Sequence, residues 1–374
     1  MELQRREKET LVRWLLDIVS VITPRIMHGK ATSPSRVGIL LQWGVGDAVL
    51  MLPLLRGLRE HLPVSSIELI GKPWLADLFA GENICNRTHV LVPFWTAYTN
   101  KYRPSKEQLV QYLREVRAVR KEKFDWLIGA RCDPRESLQL RLLRARQTFG
   151  LRAAGGRFWV DYDVGGSRSL HDRLHRAQFA THVLRQIIPS AINSSVTLTP
   201  NEQARNKARQ WLLASGCSGS GHILAVHSGA GNPLRHWREA HFDGVIRALV
   251  HKPAFVVFID EATPMIDCPL PQALWHGSLN ELKALLSLCH VFLGSDSGVM
   301  HIAAASGCRV VTPFGPTEPR WFAPIGDQHI VVAKPIECRP CFDSCIYDRP
   351  ICYDRLTDQM IAAAVDAQFC SVKG

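Results

Sequence analysis

Three short stretches gather polar residues and glycine where an apolar run gives way to helical periodicity. The densest is "FLGSDSGVMHIAAASGCRVVTPFG", residues 292–315, which sets an acid, a hydroxyl, a glycine and a histidine within six positions. Asp296 and Ser297 can cap a helix beginning near Val299, Gly298 lets a ligand approach the backbone, and His301 falls in the first turn. Such a helix end carries roughly half a positive charge and several free N–H groups, which suits a phosphate. An ordinary capped helix with a buried histidine accounts for any one of these residues, but less well for all four together. "FGPTEPRWFAP" then adds Thr317 on the loop after the next apolar run.

The second stretch, "HSGAGNPLRHWREAHF", begins at His227. Gly229 and Gly231 would let backbone N–H groups approach an anion. Ser228 is beside them, and Arg235 offers a fork of donors to phosphate oxygens or is simply a surface arginine. The first stretch, "LLQWGVGDAVLMLPLLRGLRE", has Gly44, Gly46 and then Asp47 at a helix N-cap position. Asp47 is either a capping aspartate or a general base at the edge of a ligand cleft.

A fourth group lies further on. "ECRPCFDSCIYDRPICYD" places Cys338, Cys341, Cys345 and Cys352 in a C-x2-C-x3-C-x6-C arrangement. Four soft ligands at this spacing can close a tetrahedral site for zinc or iron; the alternative is a loop of free thiols. The other seven cysteines are scattered, and no secretory signal is evident, so reduced thiols and a cytoplasmic setting are expected.

The elements that must hold these residues alternate. Apolar runs of strand type at 37–43, 67–70, 89–93, 126–130, 223–227, 255–259, 291–294, 309–314 and 330–333 are separated by helical periodicity at 49–61, 105–121, 201–215, 240–250, 279–288 and 357–369. This is the pattern of parallel sheets with crossover helices. Pro53 fits poorly inside 49–61 and points to a helix start near Leu52 or a kink. Residues 155–175 are rich in glycine and arginine and resist assignment. The stretch 188–200, "IPSAINSSVTLTP", reads as a linker between two similar α/β halves. Open sheets of this kind bind ligands at their carboxyl edges.

Together, "GDAVLMLPLLRGLRE", "HSGAGNPLRHWREAHF", "SDSGVMHIAAASGCRVVTPFGPTEPRWFAP" and the trailing cysteines resemble the glycosyltransferase family 9 heptosyltransferases, from about Val37 to the final helix. The resemblance implies a GT-B fold of two Rossmann-like domains facing across a cleft, with an extra N-terminal helix outside it. The corresponding division is an extension 1–34, an acceptor-binding domain 35–188, a linker 189–200, a nucleotide-sugar domain 201–356 and a closing helix 357–374. It implies inverting, metal-independent transfer of a heptose from a nucleotide-heptose such as ADP-heptose. Asp47 matches the family's catalytic base, and Arg235 stands where a basic residue, commonly lysine, meets the donor diphosphate. Asp296 matches the acid that holds the heptose hydroxyls. Ser228, Gly229, Ser297, Gly298, His301 and Thr317 match donor-facing positions. No catalytic cofactor is implied. A structural Zn or Fe at the four clustered cysteines is, because some family members that modify autotransporter proteins carry an iron-binding cysteine finger there. One departure concerns the nucleotide: "FIDEATPMIDCPLPQALWHGS" is proline-rich where the family has a glycine turn and a ribose-binding acid, leaving Asp260 or Glu261 for that acid.

The whole chain bears on partners. It has 374 residues, 46% hydrophobic and 21% charged, with a formal net charge of +11. The length suits two domains, and the charge suits an anionic partner. The positive residues are dispersed and no zinc-finger spacing or RNA-module aromatic signature is present, so nucleic acid is not expected. The expected acceptor is an anionic lipopolysaccharide-core glycolipid at the inner face of the cytoplasmic membrane. The alternatives are a protein acceptor or a nucleotide-sugar-binding protein without turnover. Residues 5–30 carry an amphipathic pattern (Leu11, Trp14, Leu15, Ile18, Val19, Ile22) that either packs on protein or lies on an anionic bilayer.

Overall fold

The computed structural model describes residues 15, 17–21, 33–96, 103–259, 269–341 and 344–371. These form two compact units that divide between Ser195 and Val196, with Asp77–Glu82 belonging to the second. Asp260 and Glu261 lie outside the described residues, as does most of the N-terminal segment. Of the latter, Leu15, Ile18 and Val19 are helical and exposed. Among the described residues no helix is long and apolar enough to cross a membrane.

The first unit is a six-stranded, wholly parallel sheet in the order β3-β2-β1-β4-β5-β6. Its strands are β1 (Arg36–Leu41), β2 (Ser66–Gly71), β3 (Arg87–Val90), β4 (Trp126–Ile128), β5 (Gln147–Gly150) and β6 (Tyr162–Asp163). The chain leaves β1 to one side through β2 and β3, then returns to pair β4 with the other side of β1. That reversal makes the carboxyl ends of β1 and β4 the topological switch point, where a crevice opens for ligands. The second unit repeats the scheme with β7 (Ile223–His227), β8 (Phe255–Ile259), β9 (Gln272–Trp275), β10 (Val291–Gly294), β11 (Arg309–Pro313) and β12 (Ile330–Val332). Their order is β12-β11-β10-β7-β8-β9, so its switch point lies between β7 and β10. β7, β8 and β10 are buried along their whole length, as strands covered on both faces must be.

Pro53 points correctly to a helix start at Leu52. Residues 49–61 are two helices, Val45–Leu50 and Leu52–His61, broken at Met51. Pro53 occupies the second position of the later helix, where its missing N–H costs nothing. The unassigned stretch 155–175 holds β6, and β5 before it was not expected; both are short and carry polar residues such as Gln147 and Asp163.

Asp77–Glu82 is fastened to the second unit by Lys283, whose side chain is fully buried. Its Nζ donates to the carbonyls of Leu78 (3.2 Å) and Ala80 (2.7 Å) and pairs with Glu82 at 3.5 Å. A buried ammonium is tolerated only with partners of this kind.

Candidate functional site

In the first unit, Asp47 is not the N-cap expected of it. Gly44 is the N-cap of the Val45–Leu50 helix, and Asp47 sits three residues in, its Oδ2 accepting the Gly44 N–H at 3.0 Å. Its Oδ1 accepts from Arg131 Nη1 at 2.5 Å. Arg131 follows β4, so the two strands at the switch point each supply one partner of the pair. The Arg131 guanidinium lies over the Trp43 ring, 4.3 Å from its centroid, a cation–π contact that fixes its plane. Two further cations act on the same place. Burial pulls the Lys72 ammonium down, against the pull of Asp47. Burial and the neighbouring Arg131 bring Arg176 down to about 10, while Arg176 donates to the His171 carbonyl at 2.6 Å.

Beneath them Glu136 is buried and accepts the Arg131 N–H at 2.8 Å. Burial pushes its carboxyl up to about 8 even though that hydrogen bond opposes the shift, so it stays protonated near neutrality. Arg131, Arg176, Lys72 and Glu136 were not singled out from sequence. The signal that could have found Arg131 is the turn "GARCDPRES" after β4, a fourth strand-to-helix junction loaded with charge.

In the second unit the loops after β7 and β10 meet. Arg235 Nη1 is 3.6 Å from the Asp296 carboxylate, which is 2% exposed. Ser295 Oγ donates to the Ser228 carbonyl (2.9 Å), tying the two loops together. Ser297, not Asp296, is the N-cap of the Gly298–Ala305 helix, with its Oγ accepting the Met300 N–H at 3.4 Å and lying 3.4 Å from His227 Nδ1. That division of labour leaves the Asp296 carboxylate to Arg235. Gly229 is buried behind Ser228, Gly298 opens the helix, and His301 is buried in its first turn. Thr317 is buried on the loop after β11, and its Oγ1 has no hydrogen-bond partner among the described residues.

The Arg235 loop is held from below. The buried Tyr353 hydroxyl donates to the Arg235 carbonyl at 2.8 Å. Gly315 lets that ring approach: a Cβ there would fall 2.4 Å from Tyr353 Cζ. Arg339 donates to the carbonyls of Gly315 (2.8 Å) and Phe314 (3.1 Å).

The four clustered cysteines line one cavity of about 10 Å³, beside Leu234, Gly315 and Arg339. That is room for a single small particle. Burial and the neighbouring thiols push Cys341 up to about 11, and burial carries Cys352 to the same value. Among the described residues, the one set of three or more candidate ligands whose donor atoms converge within 4.8 Å is elsewhere: Glu68, His89 and Glu122. Arg36 already occupies that set, paired with Glu68 (2.8 Å) and Glu122 (2.6 Å), so it is an ion-pair network.

The profile described as Glycosyltransferase family 9 (heptosyltransferase) matches residues 117–349, well over half of the chain. The chain belongs to glycosyltransferase family 9. The family match takes in Arg131, Arg235, Asp296 and the first three clustered cysteines, and begins after Asp47. Lipooligosaccharide heptosyltransferase 2 of Haemophilus influenzae is 25% identical over 167 residues, 40% of this chain and 48% of that protein. Lipopolysaccharide heptosyltransferase 1 of Pseudomonas aeruginosa is 22% identical over 213 residues, 51% and 59% of the two chains. The alignments thus span about half the length of these two relatives. Lipopolysaccharide heptosyltransferase 3 of Escherichia coli is 22% identical over 76% of this chain and 85% of its own.

Among solved structures, a glycosyl transferase family 9 protein of Veillonella parvula superposes with a TM-score of 0.69 at 17% identity, over 90% of this chain and 98% of that one. The ADP-heptose lipopolysaccharide heptosyltransferase II of E. coli gives 0.67 at 15%, over 90% and 99%. The iron-containing dodecameric glycosyltransferase TibC of E. coli gives 0.54 at 14%, over 92% and 78%. These likenesses show the fold, GT-B, which this member of the family shares.

Proposed function

We propose that this chain is an inverting heptosyltransferase that moves a heptose from a nucleotide-heptose, ADP-heptose first, onto a hydroxyl of an anionic lipopolysaccharide-core glycolipid. The observation that carries this reading is the Arg235–Asp296 pair at the Ser297-capped helix N-terminus. It combines a fork of donors, a buried carboxylate and free backbone N–H groups. In the proposed roles, Asp296 holds heptose hydroxyls, with Ser228, Gly229, Ser297, Gly298, His301 and Thr317 around the sugar and diphosphate. Arg235 and the helix end stabilise the charge that develops on the departing diphosphate, without a metal. Asp47 accepts the proton of the acceptor hydroxyl as its oxygen bonds to the anomeric carbon and the diphosphate leaves from the opposite face. The Lys72, Arg131 and Arg176 cations near Asp47 favour an acceptor that carries negative charge. In the domain roles proposed here, the first unit takes the acceptor and the second the nucleotide-sugar. The setting proposed is the cytoplasm, with peripheral attachment to the inner face of the membrane, where such an acceptor would be met.

A second reading, a protein acceptor, is favoured by the cysteines. Cys338, Cys341, Cys345 and Cys352 line one small cavity without their sulfurs meeting at a single point, and their chemistry suits a soft structural metal such as iron or zinc. Such an ion would pin the loop under Arg235 and hold as thiolates cysteines that burial otherwise keeps protonated, with no part in transfer. TibC, similar in fold, is described as iron-containing. The test of both readings is the purified chain with ADP-heptose and a panel of truncated lipopolysaccharide cores and an autotransporter passenger domain, read by mass spectrometry. A gain of one heptose on a core supports the first reading, and on the passenger the second. Donor binding with no product on any acceptor would leave a nucleotide-sugar-binding protein and refute both.

A further inference from the structure

We infer that the outer face of the Lys106–Arg120 helix is a docking surface for an anionic phospholipid bilayer. The helix has fifteen residues and is well started, with Ser105 accepting the Gln108 N–H and Gln108 returning the bond to Ser105. Its inner face is ordinary. Tyr112, Val116 and Val119 are buried, and Tyr112 meets Phe94 and Trp95 edge to face. A helix of this kind should carry polar residues on the remaining face, and this one sets an apolar trio among them. Leu109, Val110 and Leu113 are 43%, 46% and 44% exposed.

Those three residues belong to a longer stripe. Lys106, Leu109, Val110, Leu113, Arg117, Arg120 and Lys121 fall within about a third of the turn at 100° per residue, so they share a side of the helix. Arg114 flanks the stripe. The apolar trio is therefore framed by five cations, four of them exposed. Of the acids of the helix, Glu107 is exposed on the flank that carries Arg114, and Glu115 lies on the opposite side, accepting the Val92 N–H at 2.8 Å.

Apolar side chains at the middle of a face and Lys and Arg around them are what the boundary of an anionic bilayer selects. The former enter the acyl edge while the long cationic stems reach back to phosphate. Charge decides between occupants. A second copy of the chain would bring the same five cations against these, and the like-charge contact is unfavourable. An anionic lipid surface neutralises them. The inference holds whichever acceptor the enzyme uses.

The experiment is co-sedimentation of the full-length protein with vesicles of phosphatidylcholine alone or mixed with phosphatidylglycerol. The wild-type chain should bind the anionic vesicles, bind neutral ones weakly, and lose affinity as salt rises. The triple variant Leu109→Ser, Val110→Ser, Leu113→Ser and the triple variant Arg114→Gln, Arg117→Gln, Lys121→Gln should each lower partitioning roughly tenfold or more. All six residues are exposed, so both variants should keep the wild-type unfolding transition, which is measured alongside. Variants that are folded and bind anionic vesicles as well as wild type overturn the inference. So does wild-type protein that binds neither vesicle. A triple variant that changes the molecular mass in solution while vesicle binding is untouched would assign the face to a second copy instead.

Discussion

At the scale of single residues, Asp47 has both carboxylate oxygens engaged, one by the Gly44 N–H and one by Arg131. In the proposed role of base, a carboxylate held this way is aimed but not free to swing, which is the preorganisation that proton transfer needs. Arg131→Gln should remove a charge-assisted bond of about 1.5–3 kcal/mol and lower kcat/KM about ten- to a hundredfold. Donor affinity, read by titration with ADP, should be unchanged. Glu136 supplies a second prediction. Its folded carboxyl titrates near 8, above the 4.5 it would have unfolded, so the folded state holds a proton that the unfolded state has lost between those values. Stability from this group is complete below about pH 4.5 and falls as pH rises toward 8. Glu136→Gln should therefore flatten the pH dependence of the unfolding free energy over that window and stabilise the protein at pH 8; a variant that is less stable at pH 8 would contradict the assignment. Of the residues that announced themselves in the sequence, Asp47 and Ser297 adjoin a glycine, Asp296 lies between Gly294 and Gly298 just past an apolar strand, and Arg235 follows a glycine-containing loop. Arg131 and Glu136 stood out less: the charged turn after β4 was there to be read, but their importance comes from β4 lying next to β1, and adjacency in a sheet leaves no trace in spacing.

At the scale of elements, the Arg235 loop depends on packing beneath it. Tyr353→Phe would leave the Arg235 carbonyl without its donor, costing about 1 kcal/mol and weakening ADP binding more than it lowers the melting temperature. Gly315→Ala should do more damage, because a methyl group 2.4 Å from the Tyr353 ring must push it away. Calorimetric titration with ADP checks both. Lys283→Ala takes the cation away from the buried Glu82, to which the Thr199 N–H still donates, and should destabilise the second unit by about 3 kcal/mol in denaturant unfolding. The hydrophobic strands β1, β7, β8 and β10 were legible from their apolar runs, and β2 was legible despite Glu68 in its middle. By contrast β5, β6 and β9 were not, since they are short and mix polar residues into positions covered by neighbours. The break at Met51 was legible because proline constrains the backbone locally.

At the scale of the whole molecule, one architectural device is used twice. Each unit places its candidate residues on the loops after the two strands where the sheet order reverses: Asp47 and Arg131 after β1 and β4, Arg235 and Asp296 after β7 and β10. Alternation of strands and helices made this α/β class readable from the sequence, while the strand order required the structure. The excess positive charge finds two local expressions, the cations around Asp47 and the face of the Lys106–Arg120 helix. The measurement that tests the account most directly compares wild type with Asp47→Asn for heptose transfer from ADP-heptose to the core accepted best, with ADP binding measured on the same samples. The account expects Asn to reduce turnover by a factor on the order of a hundred or more with ADP affinity unchanged. Turnover by Asp47→Asn at the wild-type rate would contradict it.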